Sequence, residues 1–342
     1  MEAVTESITK NRQTSETLRA MAARAFGAAQ VPEGEGEDWF EELGHGWCNV
    51  AYRITLRDGE TVVVKIAPPA GVEVMTYEKD MMRIEVTSLR LIRERTSVPV
   101  PAVLHYDTSR ELCDAEYFFM EFVEGDNLGI IEAGLEKETR AAYLQALGAA
   151  NRELNGIKGN RFGPLLGSAA SEPAAASGAT WREVFLGICE DVLSDGERRS
   201  VDLGWDYNAV RQLFTEHADC LDEVTEPSFI EWDLWSSNVM VRDGAIVGII
   251  DHERALYGDS LMEAGFVAVE PDALPGDPSD FLRGYGKESF TEAEHMRRRL
   301  YNVHLMLIMI IETVYRGHVE TRQYDFARER LAQVLENFGL KR

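Results

Sequence analysis

Phe229-Ile-Glu-Trp-Asp-Leu-Trp-Ser-Ser-Asn-Val-Met-Val241 and Ile246-Val-Gly-Ile-Ile-Asp-His-Glu253 are the two stretches that decide how this chain is read. The first places Asp233 five residues before Asn238 in a polar, irregular run. The second is an apolar strand that ends on Asp251, thirteen residues after Asn238. One amide and one carboxylate form an oxygen-only pair that suits Mg²⁺, which takes few protein ligands and keeps water and phosphate oxygens. A free carboxylate on a fixed loop beside them can orient a hydroxyl and accept its proton. Alone, Asp233 reads more simply as a turn or cap aspartate, so the weight falls on the ordered set.

Two more pieces lie upstream. Lys65 sits in Val62-Val-Val-Lys-Ile66, and a lysine in an apolar strand needs an anion, either a carboxylate or a phosphate. An edge-strand lysine facing solvent is the plain alternative. Leu43-Gly44-His45-Gly46-Trp47-Cys48-Asn49 lies between two strand-like runs. Glycines there let the backbone approach a phosphate closely and aim peptide N–H groups at it, although two glycines in a hairpin are by themselves only a turn.

The texture around these pieces predicts an α+β fold of two lobes. Residues 1–38 read as an N-terminal helix (Ser15–Ala29) and an acidic linker. Residues 39–124 alternate short β-branched runs with one helix, Tyr77–Arg95, broken by Val98-Pro-Val-Pro101. Asp58-Gly59 predicts a two-residue hairpin turn between Val50–Leu56 and Thr61–Ile66. Residues 125–342 are mostly helical: Glu136–Asn155, Trp181–Leu193, Tyr207–Val224 and Glu292–Asn337. The small-residue run at 168–180 reads as a flexible surface loop. The apolar stretch Val303–Tyr315 reads as core packing rather than a lipophilic pocket.

With Gly loop, strand lysine, Asp-x4-Asn and strand-end Asp in this order, the chain resembles the aminoglycoside phosphotransferases and related small-molecule kinases. The resemblance implies a protein-kinase-like fold with a small antiparallel-sheet N-lobe and a larger helical C-lobe. It implies Asp233 as catalytic base, Asn238 and Asp251 as Mg²⁺ ligands, and Lys65 on the α/β-phosphates beneath Gly44 and Gly46. Glu85 would pair with Lys65, with Glu78 as the fallback, and the backbone from Glu121 to Val123 would hold adenine. ATP is the implied donor, with GTP left open. The chain departs from the family pattern at Glu231, where histidine is usual, at Ser260 for proline, and at Glu263 for aspartate. Glu231 puts the packing of the catalytic loop in question.

Composition narrows the partners. Acidic residues outnumber basic ones 59 to 35, so a formal charge of −24 argues against nucleic acid or an anionic membrane surface. Four cysteines without a CxxC pair, and no apolar N-terminal stretch, lead to the expectation of a cytoplasmic protein. Thirteen acids between Glu190 and Asp233 face only three arginines there, which fits either a polycationic acceptor such as an aminoglycoside antibiotic or a merely solvated face. Three functions therefore stand: a kinase of a small, cationic hydroxyl compound; a kinase of a metabolite such as choline, a ribose derivative or an amino sugar; and a nucleotide-binding pseudokinase. Intact Lys65, Asp233, Asn238 and Asp251 argue against the last. Oligomeric state is left open.

Overall fold

The computed structural model describes residues 7–32, 38–44, 48–166, 178–267, 278–318 and 320–340. Gly46, and residues 168–177 of the small-residue run, lie outside the described residues. The N-terminal part is a five-stranded antiparallel sheet of β1 (Phe40–Glu42), β2 (Val50–Thr55), β3 (Thr61–Ile66), β4 (Val103–Asp107) and β5 (Tyr117–Glu121). Its spatial order is β1-β2-β3-β5-β4. The two-residue period of these strands loads both faces. Val50, Tyr52, Ile54, Val62 and Val64 point to α1 (Ser15–Phe26), which meets them with Leu18, Met21 and Ala22. Val63, Phe118 and Met120 point the other way, toward Ile84, Val86 and Leu89 of α2 (Met81–Arg95). Lys65 shares the face of Val63 and so looks at α2.

The β2–β3 connection is one residue longer than the two-residue turn expected from Asp58-Gly59. Leu56 N–H still bonds the Glu60 carbonyl, and Gly59, at φ +90°, donates back to the Leu56 carbonyl. Only Gly59 needs the left-handed region, so the hairpin closes as a three-residue loop.

Beyond β5 the chain passes β6 (Asp126–Asn127), α3 (Leu128–Ile131), α4 (Lys137–Asn155), β7 (Gly163–Pro164), α5 (Trp181–Arg198) and α6 (Tyr207–Glu216). Then come β8 (Ser228–Ile230), β9 (Val239–Arg242), β10 (Ala245–Ile249), β11 (Leu256–Gly258), α7 (Ala264–Val267) and α8 (Ser279–Tyr285). The described chain ends with α9 (Glu292–Tyr315) and α10 (Arg322–Asn337). Two small sheets, β10-β9-β6 and β7-β11-β8, carry the polar loops at 231–238 and 250–255. Gly248 makes the first of these possible, since a Cβ there would lie 2.7 Å from Val123 Cγ1 on the connection between the lobes. α9 is buried on nearly every side, as expected of its apolar run, and opens with a Thr291/Glu294 capping box. The C-terminal helical stretch is split rather than continuous, because Gly317 at φ +65° ends α9's last turn.

α4 and α8 touch backbone to backbone. A Cβ on Gly148 would collide with the Phe281 carbonyl oxygen, and one on Gly284 with that of Gln145. Backbone cannot swing aside as a side chain can. Gly284→Ala is therefore expected to destabilise the protein by about 1–3 kcal/mol in urea unfolding, the usual cost of overpacking. An unchanged midpoint would show that the two helices have room to part.

Candidate active site

The buried ammonium of Lys65 gathers three carboxylates from three places in the chain. β3 delivers Lys65 to Glu85 on α2 at 2.6 Å, to Asp251 just past β10 at 2.5 Å and to Glu253 at 3.2 Å. Asn49, after the glycine turn, donates its side-chain N–H to Glu253 at 2.5 Å. Gly44 is exposed at the end of β1, with nothing within 4 Å of a Cβ placed there. Glu78, the alternative partner, is elsewhere: it bonds Arg316 at 2.9 Å.

One ammonium faces three acids, and burial acts on each of these charges. Burial works against the charge on Lys65, yet Asp251, Glu85 and Glu253 hold its pKa well above the ordinary lysine value. Burial also opposes the charge on Asp251, but adjacent Lys65 keeps its carboxyl below the ordinary aspartate value. Burial, and then the charge of Asp251, push Glu253 up to about 8. Glu85 is likewise raised by burial. Carboxylate oxygens of Glu85, Asp251 and Glu253 lie within 4.8 Å of one another, a hard-oxygen set that a divalent cation fits.

The second half of the site is the loop after β8. Asp233 receives the indole N–H of Trp235 on Oδ1 at 2.7 Å. Asn238 donates its side-chain N–H to the Asp233 carbonyl at 2.8 Å, and its own carbonyl accepts from Ile250 N–H at 2.9 Å. The amide nitrogen of Asn238 is thus committed to the loop, which leaves its amide oxygen for a ligand. Burial pushes the Asp233 carboxyl above the ordinary value, while nearby Arg254 opposes the shift. Trp232, immediately before the base candidate, and Asp251 itself hold left-handed backbone at φ 60° and 70°. Non-glycine residues persist there only when their surroundings hold them, and such residues cluster at active sites.

Glu263 and the pair Glu231–His252 supply that hold. The Glu263 carboxylate accepts the N–H groups of Glu231 (2.9 Å) and Trp232 (3.0 Å) and the side-chain amides of Asn151 (2.9 Å) and Asn155 (3.1 Å). Burial and Glu231 push it up to about 7. The question over Glu231 has a physical answer: Oε2 lies 2.7 Å from Nδ1 of His252, whose Nε2 faces the Ile249 carbonyl at 2.9 Å. The pair thus joins the loop of Asp233 to the end of the strand that delivers Asp251. Burial alone would strip the imidazole of its proton, but Glu231 and the Ile249 carbonyl raise its pKa above the ordinary histidine value.

Between the lobes, Glu121 N–H is taken by the Ala102 carbonyl at 3.0 Å. Val123 N–H has no protein partner among the described residues, so it is free for a ligand edge. Most of the acids between Glu190 and Asp233 are matched inside the protein. Arg211 binds both Glu190 and Glu197, Arg182 binds Asp219 and Asp222, Arg297 binds Glu223, and Asp195 is buried against Thr76 and Arg198. Sequence reading missed His252, Glu253 and Arg254 as site residues; their position directly after Asp251 was the available signal.

The phosphotransferase enzyme family matches residues 39–300, and the chain belongs to that family. It is a phosphotransferase with the kinase-like fold of the small-molecule kinases. The fold resembles a thermostable mutant of the aminoglycoside phosphotransferase APH(4)-Ia solved with AMP-PNP and hygromycin B, at 18% identity and a TM-score of 0.65, over 95% of this chain and 100% of that one. It also resembles APH(2")-IIa in its streptomycin–ATP complex, at 15% identity and a TM-score of 0.60, over 94% and 97% of the two chains. No curated protein matches the sequence.

Removing one partner of a buried ion pair strands the other, whereas replacing both with apolar groups does not. Glu231→Ala is expected to cost about 3–5 kcal/mol in chemical denaturation, with Glu231→Ala/His252→Phe recovering much of it. Because the folded-state pKa of His252 is raised, its contribution is full below the ordinary histidine value and lost as pH climbs through the higher folded value. The double variant should lack that decline in stability, which unfolding at a series of pH values would reveal.

Proposed function

We propose that the protein transfers the γ-phosphate of ATP to a hydroxyl group of a small molecule. The observation that carries this reading is the ion pair that joins Lys65, in residues 39–124, to Asp251, in residues 125–342, with Asp233 near enough to Asp251 to feel its charge. In this reading Lys65, steadied by Glu85, binds the donor phosphates, and main-chain N–H groups around Gly44 and Gly46 cradle them. The Val123 N–H and a main-chain carbonyl at Glu121 take the purine edge. Asn238 and Asp251, with Glu253 within reach, would hold Mg²⁺, which neutralises phosphate charge when bound. Asp233 orients the acceptor hydroxyl and takes its proton. Neighbouring folds solved with ATP or AMP-PNP support the nucleotide, and four free cysteines fit a cytoplasmic setting.

The acceptor divides into two readings. Aminoglycosides are supported by the hygromycin B and streptomycin bound in the similar structures. A less cationic metabolite is favoured by the internal pairing of the acids on α5 and α6, which removes most of the charge that would attract a polycation. An ATP-consumption screen of purified protein against aminoglycosides and cellular amino alcohols separates the two. A polycationic acceptor should show a KM that climbs with salt, because exposed charges are screened beyond about 10 Å at 0.1 M. A flat salt profile favours the metabolite.

Two substitutions test the assigned roles. Asp233→Asn should cut turnover by about 10²–10⁴ while Mg²⁺-dependent nucleotide binding stays near normal, as expected for loss of a positioned base. Asp251→Ala should abolish that nucleotide binding as well. Full turnover by Asp233→Asn would remove Asp233 from its role.

A further inference from the structure

We infer that Arg316 is a positioning residue: through Glu78 it fixes the chain that leads into α2, and so keeps Glu85 on Lys65. The inference rests on the phosphotransferase reading of this site. The need for such a hold shows at Glu85 itself. Its Oε2 meets Lys65 at 2.6 Å, whereas its Oε1 is buried with no hydrogen-bond partner among the described residues. A buried carboxylate satisfied at one oxygen gains by turning toward water. Lys65 is its one bonded partner among the described residues, so the hold must come from the placement of α2.

Apolar contact alone does not set that placement. Ile84, Val86 and Leu89 lie against the sheet that carries Lys65, but apolar attraction has no direction. The chain before α2 supplies the direction. Glu78 Oε1 accepts from Arg316 at 2.9 Å, in side chains only 1% and 3% exposed. Glu78 Oε2 accepts the Met75 N–H at 2.9 Å, which fixes the turn around the pair. The N–H and the hydroxyl of Thr76 bond the buried Asp195 of α5 at 2.6 and 2.9 Å. Asp80, at φ 63°, then turns the chain into Met81, the first residue of α2. Glu85 follows in the second turn of that helix, near its anchored end.

Arg316 is placed to be the anchor. It directly follows α9, and its guanidinium also bonds Glu312, one turn back, at 2.9 Å. Its carbonyl takes the Ile8 N–H at 3.2 Å, so the N-terminal segment ties in at the same point. Arg316 and Ile8 both lie outside residues 39–300, the span shared with the family. A buried ion pair adds little stability over an apolar pair of the same volume, and its best-attested use is to hold one arrangement against others. Here the arrangement held is the one in which Glu85 faces Lys65.

A double-mutant cycle tests the inference. The kcat/KM for ATP, followed as ADP release, is measured for the wild type, Arg316→Gln, Arg316→Lys, Glu85→Gln and Arg316→Gln/Glu85→Gln, at a temperature where circular dichroism shows each folded. Where release is too slow to follow, the same cycle is read from the Kd of Mg·AMP-PNP. Glu85→Gln should lower kcat/KM about 10²-fold, the cost of a lost close placement. Arg316→Gln should lower it about 10-fold, and Arg316→Lys, which keeps the charge, by less. The double variant should match Glu85→Gln alone, because residues that act through one another do not add. A merely structural role would lower the unfolding midpoint and leave the losses multiplicative, about 10³-fold together. If Arg316→Gln does not fold, Glu78→Gln, which leaves Arg316 paired with Glu312, takes its place in the cycle. Multiplicative losses, or a folded Arg316→Gln with full activity, overturn the inference. Glu85→Gln with unchanged kinetics and binding also overturns it, by removing the pair it acts on. A wild type that neither binds Mg·AMP-PNP nor releases ADP overturns the phosphotransferase reading itself, and the role of Arg316 with it.

Discussion

A lysine ammonium taken out of water must be neutralised where it lies, and at Lys65 that requirement reaches across the whole molecule. Desolvating an ion costs several kcal/mol, offset only by close, well-aligned counter-charges. The counter-charges come from α2 and from the turn after β10, so one buried cation ties the sheet lobe to the helical part. The surplus of acid is equally informative. Three carboxylates around one ammonium leave room for further positive charge, and burial with the charge of Asp251 pushes the Glu253 carboxyl up to about 8. Such a surplus of carboxylates is a hard-oxygen set that would suit a divalent cation.

The opposite device holds the loop of Asp233. Asp233 and Asp251 both follow or occupy left-handed backbone, which costs about 1–3 kcal/mol per residue unless the surroundings hold it. Glu263 does so by collecting two main-chain N–H groups of the loop, and the longer glutamate reaches where aspartate is usual in the family. The Glu231–His252 pair spans from the same loop to the residue beside Asp251. Together they turn two separate polar loops into one rigid constellation.

How much of this could be read without coordinates follows from range. The strand lysine, the helix glutamate 20 residues later, and the Asp-x4-Asn run are local patterns, and the structure brings those residues together. Strand and helix positions were legible from period-two and period-3.6 apolar spacing. Short strands such as β6 and β11 were not, because two or three residues carry no period. Nor was the pairing of Glu231 with His252, since a contact between residues 21 apart on different loops leaves no trace in either loop's own pattern. The split between α9 and α10 hung on one glycine in a run otherwise helical throughout.

The same limit governs charge, and with it the acceptor. A formal −24 is a property of the chain, whereas recognition depends on which charges remain unpaired at the site. Around α5 and α6 the arginines, though few, are each placed to take one or two acids, and an exposed pair of this kind projects little field beyond its own dimensions. Beside Asp233 the balance runs differently: its carboxylate shares its surroundings with Arg254, and Glu312 is already bonded to Arg316. A cation placed beside Asp233 would meet that guanidinium at the cost of like-charge repulsion in a poorly screened place, whereas the carboxylates around Lys65 would attract it.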